Sequence, residues 1–370
     1  MKVSGGGRCN VTHACFNIRQ MAERYPRGEK FVQKAFQHFF TTDTINWFQD
    51  RGVELKAEPD GRMFPVSNSS QQIIDCLVQE ANQSGVNFLY GFDVAQVEAT
   101  DPNWKVTARD GRMLEADYLC VACGGFSKPE QFDWIAKATG HSIALPVPSL
   151  FTFNIPAHPI TNLMGVTVAD CRVKIAGFKY ESKGPLLVTH WGLSGPAVLR
   201  LSAFAARHLA ACNYHFNVLV NWLPAFTETS LLEHMRLFRL SRGNQKLQNT
   251  EWIKLPQRLW HFLLEKAGAD ADMRWSQLPA AAQNRLAKYL CSYELHAQGK
   301  TTFKEEFVTA GGITLSEIDP NTMMSRLKPN LFFAGEIMDV DGITGGYNFQ
   351  HAWSSGFIAA QTIAHLACTA

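Results

Sequence analysis

Residues 331–367, LFFAGEIMDVDGITGGYNFQHAWSSGFIAAQTIAHLA, decide how the rest of this chain is interpreted. The segment opens with the apolar run Leu331–Ala334, which is short enough for a buried strand and is stopped by a glycine and a glutamate. A polar loop at 339–344 leads to Gly345 and Gly346, and apolar and small residues recur after them at helical spacing. The segment therefore predicts a strand, a glycine loop and a helix.

The glycine loop is a place where an electron-rich ligand can bind. A helix that begins after two glycines has unpaired backbone N–H groups and the positive end of its dipole there, and glycines let a ligand approach the backbone. The alternative is a tight strand-to-helix turn without a ligand. Glu336, Asp339 and Asp341 lie in the same loop. Because packing alone does not require three acids beside a strand end, they favour the ligand.

The stretch 335–360, GEIMDVDGITGGYNFQHAWSSGFIAA, resembles the C-terminal flavin motif of the BaiN/RdsA-like flavoproteins, the family that includes the aminoacetone oxidases. The resemblance implies FAD as the cofactor. It places Gly335 and Glu336 at the ribityl and phosphate end of FAD, with Asp341 nearby. It also implies that the flavin is lined by five consecutive residues, Gly345, Gly346, Tyr347, Asn348 and Phe349.

The first ten residues, MKVSGGGRCN, form a second glycine-bearing segment. Three glycines allow a backbone that wraps a phosphate, Arg8 adds a charged fork, and Asn10 and Thr12 can donate hydrogen bonds. Taken alone, such a tract also fits a flexible terminus. SGGGRCN resembles the family's second cofactor motif, which implies that the pyrophosphate and ribityl chain contact Ser4, Gly5, Gly6, Gly7, Arg8, Cys9, Asn10 and Thr12.

A third glycine pair follows the apolar strand predicted at Tyr118–Cys123. The family has Ala-Thr-Gly-Gly at this place, and the threonine is replaced here by Cys123, so the hydroxyl is lost. The resemblance still implies close approach of the cofactor to Ala122 and Gly124, and contact of the adenine with the backbone near Val94. By itself Val94 is a strand residue.

The resemblance also concerns what lies before SGGGRCN. Members of the family begin with a strand, a G-x-G-x-x-G turn, a helix and a second strand ending in an acid, a unit of about 30 residues in a Rossmann fold. None of these precedes the motif in the sequence given. The expectation is an N-terminally truncated FAD-binding domain. The alternative is a degenerate, non-catalytic relative that binds FAD weakly or not at all.

Composition and charge limit the classes of partner that the chain is expected to bind. The net charge is +2, lysines and arginines are interspersed with acids, and no basic run is present, so we expect no nucleic-acid partner. No apolar stretch approaches the roughly 20 residues that span a bilayer, so we expect no membrane partner and a cytoplasmic protein. Nine cysteines fit a reducing compartment. The close pair Cys120 and Cys123 reads as buried small hydrophobes, and we expect no metal site.

Several further elements are predicted by pattern and turn chemistry. Two short helices fit residues 30–52, the second capped by Thr42 or Asp43. Strands are expected at Val86–Tyr90 and Val94–Ala99. Residues 104–109 and 113–115 predict a β-hairpin around an Asp-Gly turn.

The expected fold is α/β, with an FAD-binding Rossmann-like domain of the glutathione-reductase type, as the resemblance implies. We assign 1–148 and 305–370 to this domain, 149–225 to an inserted β-barrel and 226–304 to a helical part of the insert. Pro146 and Pro148 precede the change in character. A substrate pocket is expected between the domains. His190, in a glycine-punctuated turn, is a weak catalytic candidate, because a histidine can move protons near neutral pH.

The resemblance implies an FAD-dependent oxidoreductase acting on an unidentified small organic substrate. An RNA-modifying flavoprotein is a further alternative. NAD(P) is a possible second cofactor, although no second G-x-G-x-x-G is present.

Overall fold

A computed structural model describes residues 1–2, 4–100, 103–301 and 308–369. The chain divides into two compact units. The first unit comprises Met1–Ser149 and Phe303–Ala370, and the second comprises Leu150–Thr302. The second unit is therefore one continuous segment inserted into the first.

The described helices follow one another along the chain. They are α1 Ser4–Gly7, α2 Ile18–Ala22, α3 Glu29–Ala35, α4 Thr41–Gln49, α5 Ser70–Gln83, α6 Asp133–Thr139, α7 Pro196–Ala211, α8 Glu228–Arg242, α9 Gln257–Ala267, α10 Ala280–Cys291 and α11 Tyr347–Thr369. Among the described helices, none combines the length and the apolar character that a membrane crossing needs.

The strands are likewise numbered in chain order. They are β1 Thr12–His13, β2 Leu55–Ala57, β3 Arg62–Pro65, β4 Val94–Ala99, β5 Trp104–Ala108, β6 Met113–Ala116, β7 Leu119–Val121, β8 Ile143–Ser149, β9 Thr152–Asn154, β10 Thr167–Ile175, β11 Glu181–Val188, β12 Gly192–Ser194, β13 His215–Asn221, β14 Tyr293–Gln298, β15 Lys300–Thr301, β16 Val308–Ile313 and β17 Leu331–Phe333.

The strand that opens the deciding segment pairs in parallel with β7. In this pair, Leu331 lies opposite Leu119 and Phe333 lies opposite Val121. All three residues of β17 are buried, as expected for an apolar run without alternation. The predicted strand, loop and helix are confirmed, since α11 begins directly after the glycine pair. Both parallel strands end at the same edge, so their following loops lie side by side.

Within the described residues of the first unit, three small antiparallel sheets accompany the parallel pair. Their strand orders are β1-β3-β2, β4-β5-β6 and β16-β8. The predicted hairpin is confirmed, because Trp104 of β5 pairs with Ala116 of β6. The two predicted helices are α3 and α4, but α4 begins at Thr41. The Asp43 carboxylate accepts a hydrogen bond from the backbone N–H of Phe40 at 2.7 Å, which satisfies that N–H group just before the helix.

Two sequence predictions in the first unit are wrong. Residues Val86–Tyr90 form no strand, and Tyr90 is 81% exposed, because no sheet face lies there to bury these apolar side chains. Cys120 and Cys123 are exposed rather than buried. Cys123 lies beyond the end of β7, and Cys120 lies on a face of the β7–β17 pair that the described elements leave open.

The second unit is built on one antiparallel sheet of seven strands, in the order β14-β13-β10-β11-β12-β9-β15. Its edge strands β14 and β15 are consecutive in the chain and are separated by Gly299 at φ 87°. One bent segment therefore pairs with β13 through its first part and with β9 through its second. The barrel itself stays a prediction.

Buried and exposed residues alternate along the strands of this sheet, so one face is buried and the other is exposed. On β10, Val173 and Ile175 are buried whereas Arg172 and Lys174 are exposed. The buried face continues into the core formed with α7, α8, α9 and α10. The helical pattern predicted for residues 226–304 corresponds to α8, α9 and α10, followed by β14.

Candidate functional site

The N-terminal strip Asn10–His13 lies against the start of α11. A Cβ atom added to Gly346, whose φ is 90°, would come within 2.4 Å of the Thr12 carbonyl oxygen. In the orientation that satisfies both of its amide atoms, Asn10 accepts from the Gly346 N–H at 2.9 Å and donates to the Thr12 carbonyl at 3.0 Å. Thr12 donates to Gln350 Oε1 at 2.6 Å. The structure thus brings the two ends of the chain together.

Aromatic rings reinforce this junction. His13 stacks on Tyr347 with ring centroids 4.8 Å apart, and its Nδ1 lies 3.0 Å from the Gly345 carbonyl oxygen. Tyr25 donates its hydroxyl to the Tyr347 carbonyl at 2.6 Å. Burial lowers the pKa of His13. Because these contacts fill the space beside Gly345 and Tyr347, the protein itself occupies the surroundings of the glycine pair.

The acid-bearing loop before α11 is held by two further sets of contacts. Asp341 is fully buried, and both of its carboxylate oxygens bind the Arg27 guanidinium. Ser149 also donates to this carboxylate, at 2.8 Å. Burial raises the pKa of Asp341, and Arg27 and Ser149 act against that shift. The Asn348 amide bonds both the N–H and the carbonyl of Gly342, at 2.8 and 3.0 Å. Asp341 and Asn348 therefore have structural partners.

The carboxyl ends of β7 and β17 form a second arrangement, which we call the strand-end site: Gly124, Gly125, Gly335 and Glu336. A Cβ on Gly125 would come within 2.9 Å of Glu336 Cγ, so these loops touch. Glu336 accepts from the backbone N–H groups of Thr309, at 3.1 Å, and Gly125. Burial raises the pKa of Glu336.

Gly124 differs from its neighbours in this site. Its φ is 80°, a left-handed conformation that favours glycine, and a Cβ there would meet no atom within 4 Å. Packing therefore gives no reason for a missing side chain at this position. Open space beside a glycine at the carboxyl end of a parallel strand is where ligands approach the backbone in open α/β sheets.

The α11 side of the strand-end site carries a buried histidine. The N–H of Gly335, whose φ is 74°, donates to Ser355 Oγ at 2.9 Å. His351 is 2% exposed, and its Nε2 lies 3.3 Å from the Gly335 carbonyl oxygen. Its Nδ1 has no hydrogen-bond partner among the described residues. Burial lowers the pKa of His351 to about 4, so the ring is neutral at pH 7.

A cleft of about 1550 Å³ lies between β4 and the segment that leads into α6, and Cys123, the residue before Gly124, is part of its lining. Ligand pockets commonly measure roughly 300–1,000 Å³, so this cleft has room for an extended ligand. Its lining includes Val94, Cys123, Phe126 and Trp134. The predicted adenine contact at Val94 and the glycines after β7 thus belong to one region of the first unit.

Charged side chains line the same cleft. Arg109 pairs with Asp93 at 2.8 Å, and Lys137 pairs with Asp133 at 3.3 Å. Two further lysines, Lys128 and Lys328, line the cleft and have no ion pair within the described part of the chain. The cleft therefore offers cationic groups, which can bind phosphates, and aromatic rings, which can stack on a base. A dinucleotide contains both phosphates and bases.

The remaining predicted residues lie in several places. Gly6 and Gly7 adopt φ values of 69° and 83° in α1, which also contains Ser4 and Gly5. Arg8 pairs with Glu58 at 2.6 Å and lies over the Phe64 ring, so its charge has a protein partner.

Cys9 is fully buried, and Ala122 is exposed. Phe349 stacks on Trp353, with ring centroids 5.7 Å apart. His190 is exposed and belongs to the second unit. Its catalytic role, like the cofactor contacts of the other residues, stays a prediction.

Sequence reasoning missed several residues of this region. Arg27 and Tyr25 carried no signal, because their partners lie more than 300 positions away. The cleft residues Phe126, Lys128 and Trp134 had a signal that could have found them, since they follow a strand and a glycine pair within ten positions.

Comparison with known proteins covers nearly all of the chain. The family model described as HI0933-like protein Rossmann domain matches residues 1–362. Ribosomal RNA dihydrouridine synthase of Escherichia coli strain K12 is 32% identical over 98% of this chain and 88% of its own length. The protein of that name from Haemophilus influenzae is 28% identical, and 3-dehydro-bile acid delta(4,6)-reductase of Clostridium scindens is 26% identical, with the same two coverages.

Proposed function

We propose, because the chain belongs to the HI0933-like Rossmann-domain family of BaiN/RdsA-like flavoproteins, that it is an FAD-dependent oxidoreductase that reduces an electron-poor carbon–carbon double bond. The names of two relatives support this reaction class. Dihydrouridine is uridine with its ring double bond saturated, and a delta(4,6)-reductase saturates ring double bonds of a 3-dehydro-bile acid. In both substrates the double bond is conjugated with a carbonyl group.

The observation that carries the proposal is the open left-handed Gly124, whose chain neighbours Cys123 and Phe126 line the cleft. Its missing side chain leaves the strand-end backbone accessible, whereas the glycines at the start of α11 are covered by Thr12 and Tyr347. Lys128 and Lys328 would neutralise the pyrophosphate, and Phe126 and Trp134 offer faces for the adenine. These residues fit an adenine dinucleotide.

Bound FAD, reduced by an external two-electron donor, would supply a hydride to the double bond, and a proton from water would complete the addition of two hydrogens. The chain would orient the cofactor through the backbone at Gly124 and through the fixed loop at Glu336. The neutral His351 donates its Nε2–H to the Gly335 carbonyl, so its unpartnered Nδ1 can accept one hydrogen bond. The buried Arg27–Asp341 pair keeps the loop before α11 rigid, which holds the site in one geometry.

Flavin binding tests the cofactor. Purified protein is expected to show flavin absorbance bands, or to take up added FAD. Gly124→Ala adds a Cβ in the open space and should weaken FAD binding about tenfold, roughly 1.4 kcal/mol. Gly85→Ala is the matched control: its φ is 73° and its surroundings are equally open, so it carries the same backbone strain away from the cleft.

Flavin content and FAD affinity distinguish the proposal from its alternative. A chain that contains no flavin and takes up no added FAD would be the degenerate, non-catalytic relative. Equal FAD affinity of the two alanine variants would instead remove Gly124 from the cofactor site while leaving the cofactor in place.

Substrate class is tested with the reduced flavoprotein. Reoxidation of the flavin by a cyclic enone, or formation of dihydrouridine in unmodified ribosomal RNA, would each establish double-bond reduction. Mass spectrometry of the product, which gains two hydrogens, distinguishes reduction from oxidation. Failure with both substrates while the flavin remains bound would contradict this reaction class.

A further inference from the structure

Charge is distributed unequally between the two units. The second unit, residues 150–302, contains 17 Lys and Arg against nine Asp and Glu, a net charge of +8. The first unit contains 18 against 24, a net charge of −6. The whole-chain value of +2 averages these two and conceals a strongly basic unit. Such an asymmetry is typical of a chain that places an anionic partner on one of its parts.

An exposed aromatic cluster lies at one end of the second unit's sheet. It is formed by the turn between β10 and β11 and by α7. Phe178 and Tyr180 stack with centroids 6.3 Å apart, and His208 packs against both rings, at 5.6 and 5.2 Å. Tyr180 and His208 are also joined by a hydrogen bond of 2.8 Å between the hydroxyl and Nδ1.

The cluster faces solvent rather than the core. Phe178 is 37% exposed, and Phe204, one turn before His208 on α7, is 38% exposed. Core packing accounts for Tyr180, which lies partly against the buried residues of the unit. It does not account for Phe178 or Phe204, each of which keeps more than a third of its surface exposed.

Basic side chains are interleaved with these rings. Lys179 lies between Phe178 and Tyr180 in the turn, and Lys174 is exposed on β10. Neither lysine has an ion pair within the residues that the structure describes, although Glu181 is the cross-strand neighbour of Lys174. Lys183 pairs with Asp170 at 3.4 Å, and both of these side chains are more than half exposed. We call Lys174, Phe178, Lys179, Tyr180, Phe204 and His208 the hairpin patch.

We propose that the hairpin patch binds single-stranded RNA. Accessible aromatic faces stack on unpaired bases, and nearby lysines neutralise the backbone phosphates. The net charge of +8 supplies the long-range attraction, and the patch supplies the local contacts. The identity of the partner as RNA rests on the proposed function, since a uracil ring is one of its two substrate classes.

Binding of a fluorescently labelled single-stranded oligoribonucleotide, measured by anisotropy at several salt concentrations, tests the patch. Phe178→Ala should weaken binding about tenfold without changing the salt slope, since stacking is lost and no charge is removed. The double variant Lys174→Ala, Lys179→Ala should lower the slope of log affinity against log salt by about 1.4, because each phosphate contact on a single strand contributes about 0.7.

Matched controls lie in the same unit. Lys254→Ala with Lys288→Ala removes the same charge from two exposed lysines elsewhere, and Leu240→Ala removes an apolar side chain that is 74% exposed. Both controls should keep nearly wild-type affinity. All variants change exposed side chains, so their melting temperatures should match that of the wild type.

Three results would overturn the proposal. Equal losses in the lysine double variant and its control would show diffuse attraction without a patch. An unchanged affinity in Phe178→Ala would remove the stacking contact. Binding to phosphatidylglycerol vesicles with none to RNA would assign the surface to anionic lipid. Flavin content measured on the same samples keeps the two proposals apart, because a flavin-loaded protein that ignores RNA contradicts only this one.

Discussion

Burial of the single side chain His351 makes the stability of the fold depend on pH. Its folded-state pKa of about 4 lies below the ordinary value of 6.5, because burial disfavours the charged ring. Between these values the unfolded chain binds the proton and the folded chain does not. Stability from this residue is therefore complete above pH 6.5 and is lost as the pH falls towards 4.

We expect His351→Gln to remove this pH dependence. Urea unfolding at pH 7.5 and pH 5 should show the wild type losing about 2 kcal/mol more than the variant over that interval. Each protein is compared with itself, so a general loss of stability in the variant does not affect the result. His13, His141 and His158, whose pKa values burial also lowers, remain in both proteins and contribute equally. Equal pH dependence in the two proteins would contradict the buried neutral state.

At the scale of elements, the junction between the N-terminal strip and α11 depends on one missing side chain. A Cβ on Gly346 would lie 2.4 Å from a backbone oxygen of Thr12, which cannot move aside as a flexible side chain could. Its φ of 90° adds strain for any other residue. The strip and the helix can keep their contact only with glycine here.

Gly346→Ala is expected to destabilise the fold by about 3 kcal/mol or more, since overpacking against backbone and a left-handed conformation act together. Gly356→Ala is the control on the same helix. No atom lies within 4 Å of its Cβ and its φ is ordinary, so alanine should stabilise α11 by up to about 1 kcal/mol. Thermal unfolding followed by circular dichroism measures both, and a destabilised Gly356→Ala with a neutral Gly346→Ala would refute this packing.

Some secondary-structure elements can be predicted from local sequence patterns alone, and others cannot. The strand predicted at 331–334 forms at Leu331–Phe333 and the helix predicted after Gly346 forms at Tyr347–Thr369, because an apolar run and a helical period are properties of short segments. Val86–Tyr90 has a similar apolar content and forms no strand, because a strand also needs a neighbour to pair with. Pattern alone does not specify that neighbour.

At the scale of the whole molecule, the second unit has its own core. The largest cluster of buried side chains runs from Phe151 to Ala297 and lies entirely within residues 150–302. A continuous segment with its own core can fold alone. We therefore expect residues 150–302, expressed by themselves, to unfold in one cooperative transition monitored by circular dichroism. A non-cooperative thermal transition would show that this core needs the first unit.

The sequence by itself determined the order of strand, glycine loop and helix, the family, and the apolar positions of the core, because each depends on residue types at short spacing. Only the tertiary structure decided how the polar residues are used. Thr12 and Gln350, 338 positions apart, bond each other, and Arg27 neutralises Asp341. It also decided that Gly346 serves packing while Gly124 faces open space. The physical reason is that a side chain's partner is fixed by the packing of distant segments, which no local pattern encodes.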